Sequence, residues 1–153
     1  MTKIAARLAE LNIVLADAPA PVANYVPFVQ SGNLVFISGQ VSLATDGLIK
    51  GRLGDDLSID DGKNAARVCG INLLAQLKAA CDGDLDRVQR VVKLSGFVNC
   101  TPDFIDQPQI INGTSDLMVD VFGAAGKHAR AAVGVPSLPM GAAVEVDGVF
   151  EVK

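Results

Sequence analysis

The chain has no tryptophan, one tyrosine and one histidine in 153 residues. With only six phenylalanines, its core must come from Val, Leu, Ile and Ala, and a chain that is half hydrophobic and one-fifth charged can build an ordinary one. The single histidine, His128, sits in a Gly126-Lys127-His128 loop with no matched Asp, Glu or Cys spacing, so no metal site is expected. There is no G-x-x-x-x-G-K-[ST] phosphate loop and no G-x-S-x-G elbow, and no cofactor is expected. Cysteines number three, Cys69, Cys81 and Cys100. An odd count at these spacings makes neither a disulfide framework nor a zinc pattern, so they read as reduced, buried thiols of a cytosolic protein.

Positive charge is also sparse. The formal net charge is −4 and no Lys/Arg-rich run occurs, which argues against sequence-independent nucleic-acid binding. No stretch approaches the roughly 20 apolar residues of a membrane span. The N-terminal "MTKIAARLAELNIVL" is broken by Lys3, Arg7 and Glu10, unlike the apolar centre of a signal peptide. These features predict a soluble, cytoplasmic protein with no membrane partner.

The length suits one domain, 1–153. Residues 2–12 read as a helix with Ile4, Leu8 and Leu11 on one face. "ADAPAPVANYVP" breaks regular structure at Pro19, Pro21 and Pro27. "NLVFISGQV", 33–41, reads as a strand, and Asp46-Gly47 as the turn of a short hairpin. A helix over 60–81 carries Ala66, Cys69, Leu73, Leu77 and Ala80 inward, with Lys63, Arg67, Gln76 and Lys78 off that row. Asp60 and Asp61 suit its start and Gly83 its end. A strand spans 88–100, followed by a loop "TPDFIDQPQI" and a second long helix headed by Asn112. Strands at 130–135 and 143–152 close the chain. In the last, Val144, Val146, Gly148, Phe150 and Val152 share one face, and Glu145, Asp147, Val149 and Glu151 the other.

This order predicts an α+β domain with its two long helices on one face of a mixed sheet. The other face needs cover, and partner subunits are the natural source. Arg130 and Glu145 stand out in two otherwise apolar strands. If those strands pair as antiparallel neighbours, residue 131 lies roughly opposite 145, and the two charges approach. That leaves two readings open: a cross-strand ion pair, or a pocket in which the arginine fork grips a carboxylate and the glutamate handles a proton or water.

Three stretches together resemble the RidA/YjgF-like reactive intermediate deaminases: "SGNLVFISGQV", "RVVKLSGFVNCTPDF" and "ARAAVGVPSLPMGAAVEVDGVF". The resemblance covers about residues 19–153 and is nearest a longer-chain branch with an extra N-terminal helix and a longer 104–111 loop. It implies a chorismate-mutase-like fold (the Bacillus chorismate mutase type), assembled as a homotrimer with ligand clefts between subunits. It implies that Arg130 holds a substrate carboxylate and Glu145 positions water. Tyr25, Ser38, Gly39, Asn112 and Ala132 would line the cleft, Ala132 standing where deaminases commonly have Cys. The implied activity is hydrolytic deamination of 2-imino or enamine acids to 2-oxo acids and ammonia. The alternative is a non-catalytic binder of small carboxylates using the same clefts. RNA cleavage, attached to parts of this family, is disfavoured by the acidic balance.

Overall fold

A computed structural model describes residues 1–18 and 24–153. Pro19 and Pro21, read above as breakers, lie outside the described residues. Helix α1 spans Lys3–Glu10, capped by the Thr2 side chain and burying Ile4 and Leu8. Strands β1 (Phe28–Ser31) and β2 (Leu34–Val41) form a hairpin. The short strands β3 (Leu43–Ala44) and β4 (Gly47–Leu48) make the small hairpin expected at Asp46-Gly47. Next come α2 (Ile59–Ala80), β5 (Val88–Asn99), α3 (Gln107–Phe122), β6 (Ala129–Val135) and β7 (Val144–Val152).

The α2 helix begins with a reciprocal capping box between Ser58 and Asp61, satisfying two amides that the helix itself cannot. It ends in a paired closure: Gly83 N–H donates to Lys78 O and Asp82 N–H to Ala79 O, with Asp82 in the left-handed region. Gln76, placed off the buried row by sequence, is in fact buried. The helix is wedged between the sheet and α3, so its apolar stripe is wider than a single row.

The main sheet has the order β1-β2-β7-β5-β6. Every pairing is antiparallel except β5 with β6, which is parallel. That corrects the expected β6–β7 hairpin. A parallel neighbour requires a crossover, and α3 supplies it between β5 and β6; β7 returns on the far side of β5. Helices α2 and α3 cover one face. Val144, Val146, Phe150 and Val152 from β7 point into them together with Val91, Leu94 and Val98 from β5, all buried. Full burial of one such side chain as large as Phe150 contributes about 2–3 kcal/mol. The helices approach closely at Gly113, where an added Cβ would sit 2.0 Å from the Lys63 carbonyl oxygen of α2. Thr114 Oγ1 donates to Ala66 O at the same crossing.

A second correction concerns α3. It starts at Gln107 with Asp106 as its cap residue, so Asn112 lies one and a half turns inside rather than at its head. Pro108 fits the first turn, where its missing N–H costs nothing. Ile110 and Ile111 extend the apolar stripe of Thr114, Leu117, Met118 and Val121, all buried. More than half of the expected 104–111 loop is therefore helix.

Candidate functional site

The site residues expected from sequence fall into two groups, and one chain does not bring the groups together. Arg130 aligns with Leu94 on β5, and Glu145 aligns with Phe97 on the same strand. The two are thus two strands apart and three residues along, about 14 Å between Cα atoms from standard strand spacings. They also face opposite sides. Arg130 shares the helix-covered face with Leu94 and bonds to α3, whereas Glu145 alternates with the buried Val144 and Val146 and points to the uncovered face. The cross-strand ion pair is thereby ruled out: the described residues hold only the ion pairs Arg7–Glu10 and Arg87–Asp82.

The first group surrounds Glu145. Strand β2 carries a bulge in which Ser38 and Gly39 stand against the single residue Asp147. Ser38 Oγ donates to Val26 O (2.8 Å) and its N–H to Pro27 O. These bonds moor the loop that carries the exposed Tyr25. Gly39 lies directly on the Glu145 carboxylate: an added Cβ would be 2.2 Å from Oε1. Partial burial, with the nearby Asp147 carboxylate second, pushes the Glu145 carboxyl above its ordinary value. A carboxyl raised in this way is better matched to proton transfer near neutral pH.

The second group surrounds Arg130 at the exposed edge of the sheet. Its Nη1 donates to Asn112 Oδ1 (2.7 Å) and to Ser115 Oγ (3.2 Å). Ser115 Oγ lies 2.9 Å from His128 Nε2, and His128 Nδ1 lies 2.6 Å from Gly126 O. Ala132, half-buried, follows Arg130 on the same face. Among the described residues Arg130 has no carboxylate partner within 4.0 Å, so its charge is held in place by neutral acceptors and left free for an anion. The sequence named Arg130, Asn112 and Ala132 as candidates but not Ser115, and read His128 as a loop residue without the contacts it makes here. The signal was present: Ser115 is three residues after Asn112 on one helix face, and His128 is two before Arg130, on the same side of an extended chain.

Two concavities of the single chain lie elsewhere. One of about 290 Å³ sits at the far end of β6, lined by Arg52, Cys100, Phe104, Gln107 and Pro136. One of about 520 Å³ sits beside α1, lined by Leu8, Ile13, Leu15, Lys78 and Leu85. Neither contains an expected site residue. The three cysteines are free and buried. Among the described residues no three His, Cys, Asp or Glu side chains converge as metal ligands, and no helix is long and apolar enough to cross a membrane.

Comparison with known proteins agrees with the fold. The profile of the family described as "YjgF/chorismate_mutase-like, putative endoribonuclease" matches residues 5–151. The chain is 49% identical over 153 residues to protein TCP17 of Trypanosoma cruzi, covering 99% of this chain and 95% of that one. The crystal structure of Atu1372 from Agrobacterium tumefaciens superimposes with a TM-score of 0.92 at 46% identity, covering 98% and 92% of the two chains. A 2-iminobutanoate/2-iminopropanoate deaminase of Dermatophagoides farinae is 28% identical over 138 residues, covering 89% and 91%.

Proposed function

Because the chain belongs to the RidA/YjgF family, with its chorismate-mutase-like fold, we propose that it hydrolyses short 2-imino acids, or their enamine tautomers, to 2-oxo acids and ammonia. The observation that carries this reading is the placement of Arg130 and Glu145 on opposite faces of one sheet. An exposed edge strand carries the arginine, and an uncovered face carries the glutamate. A homotrimer that closes the uncovered faces against one another sets Arg130 of one subunit facing Glu145 of the partner subunit. The family description names RNA cleavage, but with a net charge of −4 and no Lys/Arg-rich run in its sequence this chain is ill-suited to a polyanion.

In that cleft Arg130 takes the substrate carboxylate through paired hydrogen bonds. Tyr25 and the Ser38–Gly39 bulge wall one side, and Asn112 and Ala132 the other. Water attacks the imine carbon as Glu145 of the partner subunit accepts a proton from it. A C–O bond forms and the C=N π pair moves onto nitrogen. The carbinolamine nitrogen takes that proton; the hydroxyl proton then passes to nitrogen by way of Glu145 of the partner subunit as the C–N bond breaks, ammonia leaves with the electron pair and the C=O bond closes. No electrons enter or leave, so no cofactor is needed. Positioning by the arginine supplies much of the acceleration.

The test generates 2-iminobutanoate in place from threonine with a dehydratase and follows oxo-acid formation. Wild type should accelerate it and Arg130→Ala should not, although both sediment as trimers. Arg130→Ala retaining activity would overturn the assignment. Arg130-dependent binding of 2-oxobutanoate with no ammonia release would instead favour a carboxylate-binding protein.

A further inference from the structure

With a neutral His128 ring, the chain Gly126–His128–Ser115–Arg130 has one consistent set of hydrogen-bond directions. The Gly126 carbonyl can only accept, so His128 Nδ1, 2.6 Å away, must carry the hydrogen. In the neutral ring Nε2 is then an acceptor, and Ser115, 2.9 Å away, must donate its hydroxyl hydrogen to it. The Ser115 lone pairs are thus turned toward Arg130 Nη1. Asn112 Oδ1 takes the other hydrogen of the same Nη1. Both Nη1 hydrogens are committed to the protein, and no other bond among the described residues engages the guanidinium.

We infer that Ser115 and His128 are positioning residues that turn Arg130 so that its Nε/Nη2 edge, the side-on fork, is the one offered to a ligand carboxylate. A carboxylate needs two parallel N–H groups. With Nη1 occupied, the end-on fork is lost and only the side-on fork remains. Without the Ser115 bond the side chain is free to rotate between the two edges, and binding must first stop that rotation. The His128 imidazole acts one step further back by fixing which way the hydroxyl points. This inference rests on the carboxylate reading of Arg130 given above.

The test uses the full-length assembled protein with pyruvate and 2-oxobutanoate as probes in titration calorimetry, well below the melting temperature. Arg130→Ala should abolish binding. Ser115→Ala should raise Kd about tenfold and His128→Phe about fivefold, the scale of one hydrogen bond to a charged group. Ser115→Thr keeps the hydroxyl, and His128→Gln keeps an acceptor at similar reach; each should return Kd to within about threefold of wild type. In the deaminase assay Ser115→Ala should raise KM by the same factor and leave kcat within about twofold, since a uniform binding contribution is lost. A merely structural role would lower the melting temperature and leave the Kd of the folded protein unchanged. Wild-type affinity in both Ser115→Ala and His128→Phe, with Arg130→Ala still unable to bind, would overturn this inference alone. Normal binding by Arg130→Ala, or none by wild type, would overturn the carboxylate reading and this inference with it.

Discussion

Gly39→Ala separates the fold from the chemistry by one methyl group. The new Cβ would lie 2.2 Å from Glu145 Oε1, 3.0 Å from Cδ and 3.2 Å from Cγ. Ordinary contact begins near 3.4 Å, so the carboxylate must retreat by roughly 1 Å, a displacement that can cost about 10²-fold in rate at a catalytic group. The fold should notice little. Gly39 does not occupy the left-handed region, so alanine fits its backbone and gains about 0.4–1 kcal/mol through the unfolded chain. Turning the flexible Glu145 end aside costs about 0.5–1.5 kcal/mol. The balance lies within about 1 kcal/mol of zero, or roughly 4 °C in melting temperature for a chain of this size. The measurement pairs a thermal melt with the coupled deaminase assay, in wild type, Gly39→Ala, Glu145→Gln and the double variant. Gly39→Ala should lose about 10²-fold in kcat/KM with a near-normal melt, and should add nothing in the Glu145→Gln background. Unchanged kcat/KM in a folded Gly39→Ala protein would refute the role of Glu145. Full additivity in the double variant would refute the proposal that the glycine acts through it.

Gly113→Ala should behave in the opposite way, because its Cβ would meet backbone atoms of α2, 2.0 Å from Lys63 O and 3.1 Å from Arg67 N, which cannot swing aside. Overpacking near the top of its usual range, about 3 kcal/mol, less about 1 kcal/mol of helix propensity gained, predicts a net loss near 2 kcal/mol in urea unfolding; an unchanged midpoint would show that this glycine does not set the helix spacing. For Glu145 the folded state, with its raised carboxyl, binds more protons than the unfolded chain as pH rises past the ordinary value of 4.5, so stability falls through that window and the penalty persists above the folded pKa. Glu145→Gln lacks the penalty and should melt higher than wild type at pH 7, the difference closing below pH 4.5; a lower melt at pH 7 would contradict the burial argument.

How far the sequence could be read depends on how local the determining forces are. Strand β7 was legible because its burial alternates strictly, and α2 because its apolar row and end signals lie within or directly beside the helix. The start of α3 was misplaced because "DQPQ" has loop composition, although Pro108 is at home in a first turn and Ile110 and Ile111 already carry the buried stripe. The β6–β7 error was of another kind. Strand partners are chosen by the whole sheet, and the short link through Pro136 and Pro139 looks like a hairpin until the crossover by α3 is taken into account. Candidate site residues were named through the resemblance, but their division between two faces was not legible, since it follows from that same crossover.

The edge strand has a consequence for inheritance and dosage. On the proposed trimer every cleft is a joint product of two copies of the chain, so a copy defective in Arg130 spoils one of the clefts it borders and leaves the other to its neighbour. A copy defective in Glu145 spoils the opposite one. Two inactive alleles of these different kinds, co-expressed and mixing freely in closed rings, would rebuild about one whole cleft in four. Genetic complementation between them would then reflect shared ownership of a site rather than two separate functions.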